Sequence, residues 1–283
     1  MTSSHVPSPA RQTPFRFALI GFGGIGQSII ASFRNERPEG VDFAGVLVRP
    51  GRQAETAEIV GKERAVCTLP DLLRLEPDLV VECAGHEALR EFGLEILRSG
   101  RELITVSSGA LCDPVLEKQL CRACREGGCR LLVPAGAILG IDGLAAARHG
   151  GLETVTYTSR KPAAAWRGTA AEDCIDLDKI AHASVFFEGD ARAAAANYPK
   201  NANVTATIAL AGVGFEKTRV RLIAEPAANV NIHELVFSGA FGSARLEIAG
   251  HPSPSNPRTS LLTGLSVWRA ILNQERASIV VGT

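Results

Sequence analysis

The stretch FRFALIGFGGIG, residues 15–26, constrains the fold of this chain more than any other. Phe17, Ala18, Leu19 and Ile20 make an apolar run of the kind that lies buried on both faces of a parallel sheet, and it empties straight into glycines. Gly21, Gly23 and Gly26 fill the glycine positions of G-x-G-x-x-G. The first allows a tight turn, the second lets backbone approach a pyrophosphate, and the third lets the following helix, about residues 25–34, pack on the strand. The N-terminus of that helix offers free N–H groups and partial positive charge to phosphates. Gly21, Gly23, Gly24, Ile25 and Gly26 are therefore expected to contact a dinucleotide.

Length and charge narrow the rest. At 283 residues the chain has room for two domains. Thirty basic residues balance thirty acidic ones, which argues against nucleic acid and against an anionic membrane surface as partner. No apolar run approaches the roughly 18 residues of a membrane span. Residues 1–14, MTSSHVPSPARQTP, are polar, carry prolines and lack the apolar core of a secretory signal. They are expected to be a disordered tail on a cytoplasmic protein. Of the seven cysteines, Cys121, Cys124 and Cys129 lie close together. Two of them fall inside an expected helix with no second pair at matching spacing, so they read as reduced thiols and no metal site is expected.

Strands are expected at 41–48, 79–83, 101–106 and 130–133, alternating with helices around 53–60, 69–75, 87–99 and 114–126. Such alternation predicts a Rossmann-type doubly wound parallel sheet over residues 15–142, with ligands at the carboxyl ends of the strands. Cys83, Ala84, Gly85 and Ser107 sit at those ends and join the expected cofactor contacts. The strand at 41–48 is followed by Arg49 where an NAD-selective site carries an acid. A guanidinium there suits a 2′-phosphate, so NADP is expected to be accepted alongside NAD; a solvated loop arginine is the plainer alternative.

Beyond residue 143 strands outnumber helices: 152–159, 183–188, 219–224, 232–238 and 244–249, with helices at 190–198 and 202–211. This predicts a second, α+β domain with a mixed or antiparallel sheet over 143–256, carrying the substrate. Residues 253–257 (SPSNP) read as a loop. An amphipathic helix at 259–273, within a C-terminal stretch 257–283, is expected to return to the first domain.

The polar clusters of the second domain are RKP at 160–162, YPKNAN at 198–203 and NVNIHE at 229–234. Asn201 reads as a helix cap, and His233 alternates with apolar neighbours. Spacing alone does not choose a catalytic group among six histidines.

The stretches VVECAGH (80–86), VSSGAL (106–111), PAGAILGIDGLAAAR (134–148), SRKPAAAW (159–166), YPKNANVTATIALAG (198–212) and SGAFG (238–242) resemble the L-aspartate dehydrogenase family, and the likeness covers nearly the whole globular chain. The resemblance implies oxidation of L-aspartate with NAD or NADP to iminoaspartate, which hydrolyses to oxaloacetate and ammonia. It also implies the reverse amination, a link in some bacteria to NAD biosynthesis, and a homodimer. It places the family's catalytic histidine on His233 and its cofactor-contacting alanine and asparagine on Ala137 and Asn203. An imidazole titrating near 6.5 suits proton exchange at neutral pH. The two substrate carboxylates need cationic partners, and Arg160, Lys161 and Lys200 are the candidates by neighbourhood. A sibling dehydrogenase or imine reductase acting on another amino acid, and a dinucleotide-binding redox sensor without turnover, are the competing readings. The sensor lacks any visible basic or partner-binding segment.

Overall fold

The computed structural model describes residues 13–253, 256–275 and 280–282, without the side chains of Lys200 and of residues 252–259. Most of the expected N-terminal tail thus lies outside the described residues.

The first lobe runs β1 (Phe15–Ile20), α1 (Gly24–Glu36), β2 (Val41–Leu47), α2 (Gln53–Val60), β3 (Ala65–Val66), α3 (Leu69–Arg74), β4 (Leu79–Glu82), α4 (His86–Arg98), β5 (Glu102–Thr105), α5 (Pro114–Gly127) and β6 (Leu131–Leu132). Its six strands lie in the order β3-β2-β1-β4-β5-β6, all parallel. This is the doubly wound arrangement, and it reverses direction between β1 and β4, where such sheets bind ligands. Alternating side chains feed two cores. Phe17, Leu19, Val46, Val81 and Ile104 face one side; Ala18, Ile20, Leu47, Val80 and Leu103 face the other.

The helix α6 (Ile141–Ala147) leads into the second lobe. There follow β7 (Leu152–Lys161), β8 (Ser184–Asp190), α7 (Ala191–Asn197), α8 (Ala202–Ala211), β9 (Arg219–Ala224), β10 (Asn231–Gly239) and β11 (Gly242–Gly250). The sheet order is β11-β10-β7-β9-β8, mixed because β7 and β9 pair in parallel while the other neighbours are antiparallel. Tyr157, Val220, Leu222, Leu235 and Phe237 on one face pack with Trp166, α7 and α8. From the other face, Thr156, Glu234, Val236 and Arg245 enter no core cluster.

Two short strands, β12 (Pro252–Ser253) and β13 (Asn256–Ser260), pair where a loop is expected, with residues 254 and 255 outside the described residues. Helix α9 (Leu261–Leu272) then returns to the first lobe. Val267, Trp268 and Ile271 join the core that holds Phe17, and the Trp268 ring lies 6.1 Å from that of Phe17 and 6.2 Å from that of Phe33. Gly264 makes the close crossing possible, since a Cβ there would stand 2.5 Å from Ser28 Oγ on α1.

Candidate active site

The glycine turn after β1 has three distinct local geometries. Gly21 takes φ +94°, a conformation L side chains rarely adopt, and a Cβ on it would stand 2.8 Å from that of Ala84 at the end of β4. Gly26 lies under the turn, and a Cβ there would meet Gly21 O at 2.6 Å. Gly23 differs: a Cβ would meet nothing within 4 Å, so its backbone faces open space. As N-cap of α1 it brings no side-chain cap, and no acid stands in the first turn. The first amides of α1 are thus left for an outside anion, which fits a pyrophosphate.

Beside this turn a cavity of about 580 Å³ is bounded by Gly21, Gly23, Arg49, Arg52, Cys83 and Ala84. Arg52 pairs with Glu55, whereas no ion pair or hydrogen bond is seen for the exposed Arg49 side chain among the described residues. Cys83 Sγ lies 3.3 Å from the carbonyl oxygens of Ile20 and Gly21, joining β4 to the turn, and burial pushes its thiol up. The Ala84 and Gly85 amides both donate to Glu82 Oε1 at 2.8 Å. Glu82 Oε2 accepts the Thr105 hydroxyl at 2.6 Å. Ala84 and Gly85 therefore have no amide left for a phosphate; they offer only carbonyl and carbon atoms. Ser107 is buried with its amide donating to Thr105 Oγ1 and borders neither this cavity nor a smaller one between the lobes, which its neighbour Ser108 lines.

The smaller cavity, about 160 Å³, lies between the lobes. Ile25, Thr105 and Ala137 border it from the first lobe and Lys161, Asn203 and His233 from the second. Residues more than 200 apart in sequence thus meet in one space. Ala137 sits in the loop after β6, anchored by the Gly136 amide donating to Ser266 Oγ on α9 at 2.9 Å. Asn203 Oδ1 accepts the Gly109 amide at 2.9 Å and stands 2.8 Å from His86 Nε2. With both contacts on the oxygen, the Asn203 Nδ2 hydrogens are the ones free to bind a ligand amide. Ser108 Oγ donates to Asn203 O at 2.8 Å and lies 3.0 Å from Thr207 Oγ1, tying α8 to the first lobe.

His233 is only 6 % exposed, and its Nδ1 stands 2.7 Å from the Tyr157 hydroxyl. Nε2 is the nitrogen left to face the cavity. Burial, with the Lys161 charge added, pulls its pKa down to about 4, well below the ordinary 6.5 expected from the sequence. The ring is therefore neutral at physiological pH. Lys161 Nζ donates to Asn201 Oδ1 and stands 4.8 Å from the Trp166 ring centroid. Asn201 does not cap α8 with its side chain as expected. It is buried at 6 %, and its Nδ2 has no partner among the described residues. Arg160 points to the other face of β7, toward Glu225 at 3.7 Å, and does not border the cavity. The Lys200 side chain lies outside the described residues.

His86 closes the strand-end stretch 83–86 on the rim expected to hold the cofactor, whereas neither Tyr157 nor the Asn201 side chain is expected from sequence to be part of the site. The alternation of Tyr157, Ser159 and Lys161 along one strand was the available signal for Tyr157. No group of His, Cys, Asp or Glu suited to a metal occurs among the described residues.

Residues 142–274 match the family described as aspartate dehydrogenase, C-terminal, and residues 21–134 match the homoserine dehydrogenase NAD-binding domain family. The L-aspartate dehydrogenase of Ruegeria pomeroyi is 48% identical over 266 residues, covering 93% of this chain and 94% of that protein. The L-aspartate dehydrogenase of Serratia proteamaculans is 44% identical over 255 residues, covering 90% and 95%. The crystal structure of aspartate dehydrogenase from Thermotoga maritima superimposes with a TM-score of 0.69 at 26% identity, covering 95% of this chain and 99% of that one.

Proposed function

Because the chain belongs to the L-aspartate dehydrogenase family, we propose that it oxidises L-aspartate with NAD or NADP to iminoaspartate, which water converts to oxaloacetate and ammonia, and that it runs the reverse amination. The observation that carries this reading is the convergence of His233, Ala137, Asn203 and Lys161 on one interlobe cavity. The cofactor, when bound, accepts a hydride from the substrate Cα.

The residues divide the remaining work. Gly23 and the first amides of α1 hold the pyrophosphate, and Arg49 meets a 2′-phosphate when NADP is used. The Ala137 backbone and Asn203 Nδ2 hold the nicotinamide amide and so orient the ring. Lys161 and Asn201 Nδ2 bind a substrate carboxylate, the first by charge and the second as a buried donor with no acceptor among the described residues. His233 Nε2 takes a proton from the substrate ammonium, because only a neutral amine can stabilise the carbon that loses hydride. The same nitrogen returns a proton as water adds to the imine and ammonia leaves.

The cytoplasm is the proposed location; no described helix is long and apolar enough to cross a membrane. A homodimer is the proposed assembly, as the resemblance to the family implies. Analytical ultracentrifugation tests it, with twice the mass of one chain expected. NAD(P)H formation across a panel of L-amino acids, with His233→Ala in parallel, tests the activity. Turnover confined to L-aspartate and lost in the variant is the expected result; turnover of a different amino acid alone would overturn the substrate.

A further inference from the structure

Strand β7 places Tyr157, Ser159 and Lys161 on one face, and β10 sets His233 in register with Ser159. Tyr157 and Ser159 are both fully buried. The Tyr157 hydroxyl contacts His233 Nδ1 at 2.7 Å. Ser159 Oγ has no hydrogen-bond partner among the described residues, although its hydroxyl lies near enough to the phenol to act against the upward push of burial on it. A buried hydroxyl without a partner calls for an explanation.

A neutral imidazole carries one ring hydrogen, and the bond made by one nitrogen decides what the other can do. If the Tyr157 hydrogen points at Nδ1, the ring hydrogen sits on Nε2 and the cavity meets a donor. If it points at Ser159 Oγ, the phenol oxygen accepts from Nδ1–H and Nε2 presents a lone pair. Only the second arrangement gives a base.

We propose that Ser159 and Tyr157 form a hydroxyl relay that fixes His233 as the Nδ1–H tautomer, with Ser159 Oγ accepting from Tyr157 and the Tyr157 oxygen accepting from His233. Both are positioning residues, and the inference rests on His233 being the acid/base of the reaction. When the substrate ammonium gives up its proton, its N–H bond breaks, an Nε2–H bond forms, and the positive charge passes to the imidazolium. The Nδ1–H bond to Tyr157 is unchanged, so the relay needs no rearrangement during the step. The phenol keeps its own proton throughout, since burial pushes its ionisation up. Lys161, on the same strand, is the charged group that faces the imidazole.

The test compares Tyr157→Phe, Ser159→Ala and the double variant in the full chain. The readouts are kcat, cofactor affinity from NADH fluorescence, and 15N spectra of histidine-labelled protein, with the His233 signals assigned by their loss in His233→Gln. Each single variant is expected to lower kcat by about tenfold or more at unchanged cofactor affinity, within the range of acid–base effects. Ser159→Ala should move the ring hydrogen of His233 from Nδ1 to Nε2. The double variant should be no slower than Tyr157→Phe, because Ser159 acts only through the phenol. Losses that multiply in the double variant, or a Ser159→Ala protein with wild-type kcat and tautomer, would overturn the relay. Retention of kcat by His233→Ala would instead overturn the acid/base assignment on which the relay rests.

Discussion

His86 Nε2 and Asn203 Oδ1 lie 2.8 Å apart, the histidine at the start of α4 on one wall of the cleft and the asparagine on α8 on the other. The second contact to that oxygen is the Gly109 amide, so the carboxamide is held from two directions. Replacing His86 by Ala leaves one contact and lets the amide turn. A net hydrogen bond of about 0.5–1.5 kcal/mol corresponds to roughly a two- to tenfold rise in the KM for NAD. Steady-state kinetics with cofactor varied at saturating aspartate checks this, and an unchanged KM would remove His86 from the site.

Gly23 and Gly26 predict opposite phenotypes for the same substitution. Gly26→Ala drives a methyl to 2.6 Å from the Gly21 carbonyl, a backbone atom that can yield only by moving the turn. Its Tm should fall, since such overpacking costs about 1–3 kcal/mol of stability. Gly23→Ala meets nothing within 4 Å and should keep its Tm. It should lose cofactor affinity, because the methyl enters the space left for phosphate. Thermal melts beside cofactor titrations separate the two, and equal effects on both properties would refute the distinction.

Burial of His233 makes stability depend on pH in a defined window. Its folded pKa, about 4, lies below the unfolded 6.5, so between those values the unfolded chain binds a proton that the native one does not. Its contribution is undiminished above pH 6.5, declines as pH falls, and levels off below 4. The loss is roughly 3 kcal/mol at 1.36 kcal/mol per pH unit. Urea unfolding at pH 7 and pH 4.5 should show a smaller drop for His233→Gln than for the parent protein. An equal drop would assign the acid sensitivity to other groups.

Lys161 contributes to that depression, so Lys161→Met should raise the His233 pKa and move the acid limb of kcat/KM upward from near 4. The same variant should raise the KM for aspartate about tenfold or more, on the scale of a lost charge-assisted hydrogen bond. An acid limb that stays in place would show that the lysine charge does not reach the imidazole.

Arg49 borders the larger cavity without a partner among the described residues, while Arg52 is held by Glu55. Arg49→Asp should shift the ratio of kcat/KM for NADP over NAD toward NAD by about tenfold or more. A ratio unchanged in the variant would leave Arg49 a solvated loop residue.

Much of the first lobe is legible in the chain because fully buried parallel strands read as short apolar runs between amphipathic helices. The strand expected at 130–133 shrinks to β6, Leu131–Leu132, and α6 escapes notice because it is only seven residues long, with Gly140 at its N-cap and Gly143 inside it. The pairing of β12 with β13 is hidden by prolines and serines that favour a loop. Within the site, strand parity separates Arg160 from Lys161: neighbours on a strand face opposite ways, and only register tells which way is inward. Tyr157 and Asn201 fail to announce themselves for a related reason. Their importance lies in what stands across from them, His233 in one case and Lys161 in the other, and no local pattern carries that information.

At Gly109 the two lobes stand close, since a Cβ there would lie 2.6 Å from that of Ala202 on α8, and 2.7 Å from Nε2 of His86 in its own lobe. One hydrogen atom in place of a methyl therefore gauges the separation of the walls across which cofactor and substrate must face each other. A wedge as small as an alanine side chain at this point presses on Ala202 of α8 and on the His86 ring at once. Catalytic alignment in this molecule is thus a tolerance of fit between two bodies, set at a position that performs no chemistry.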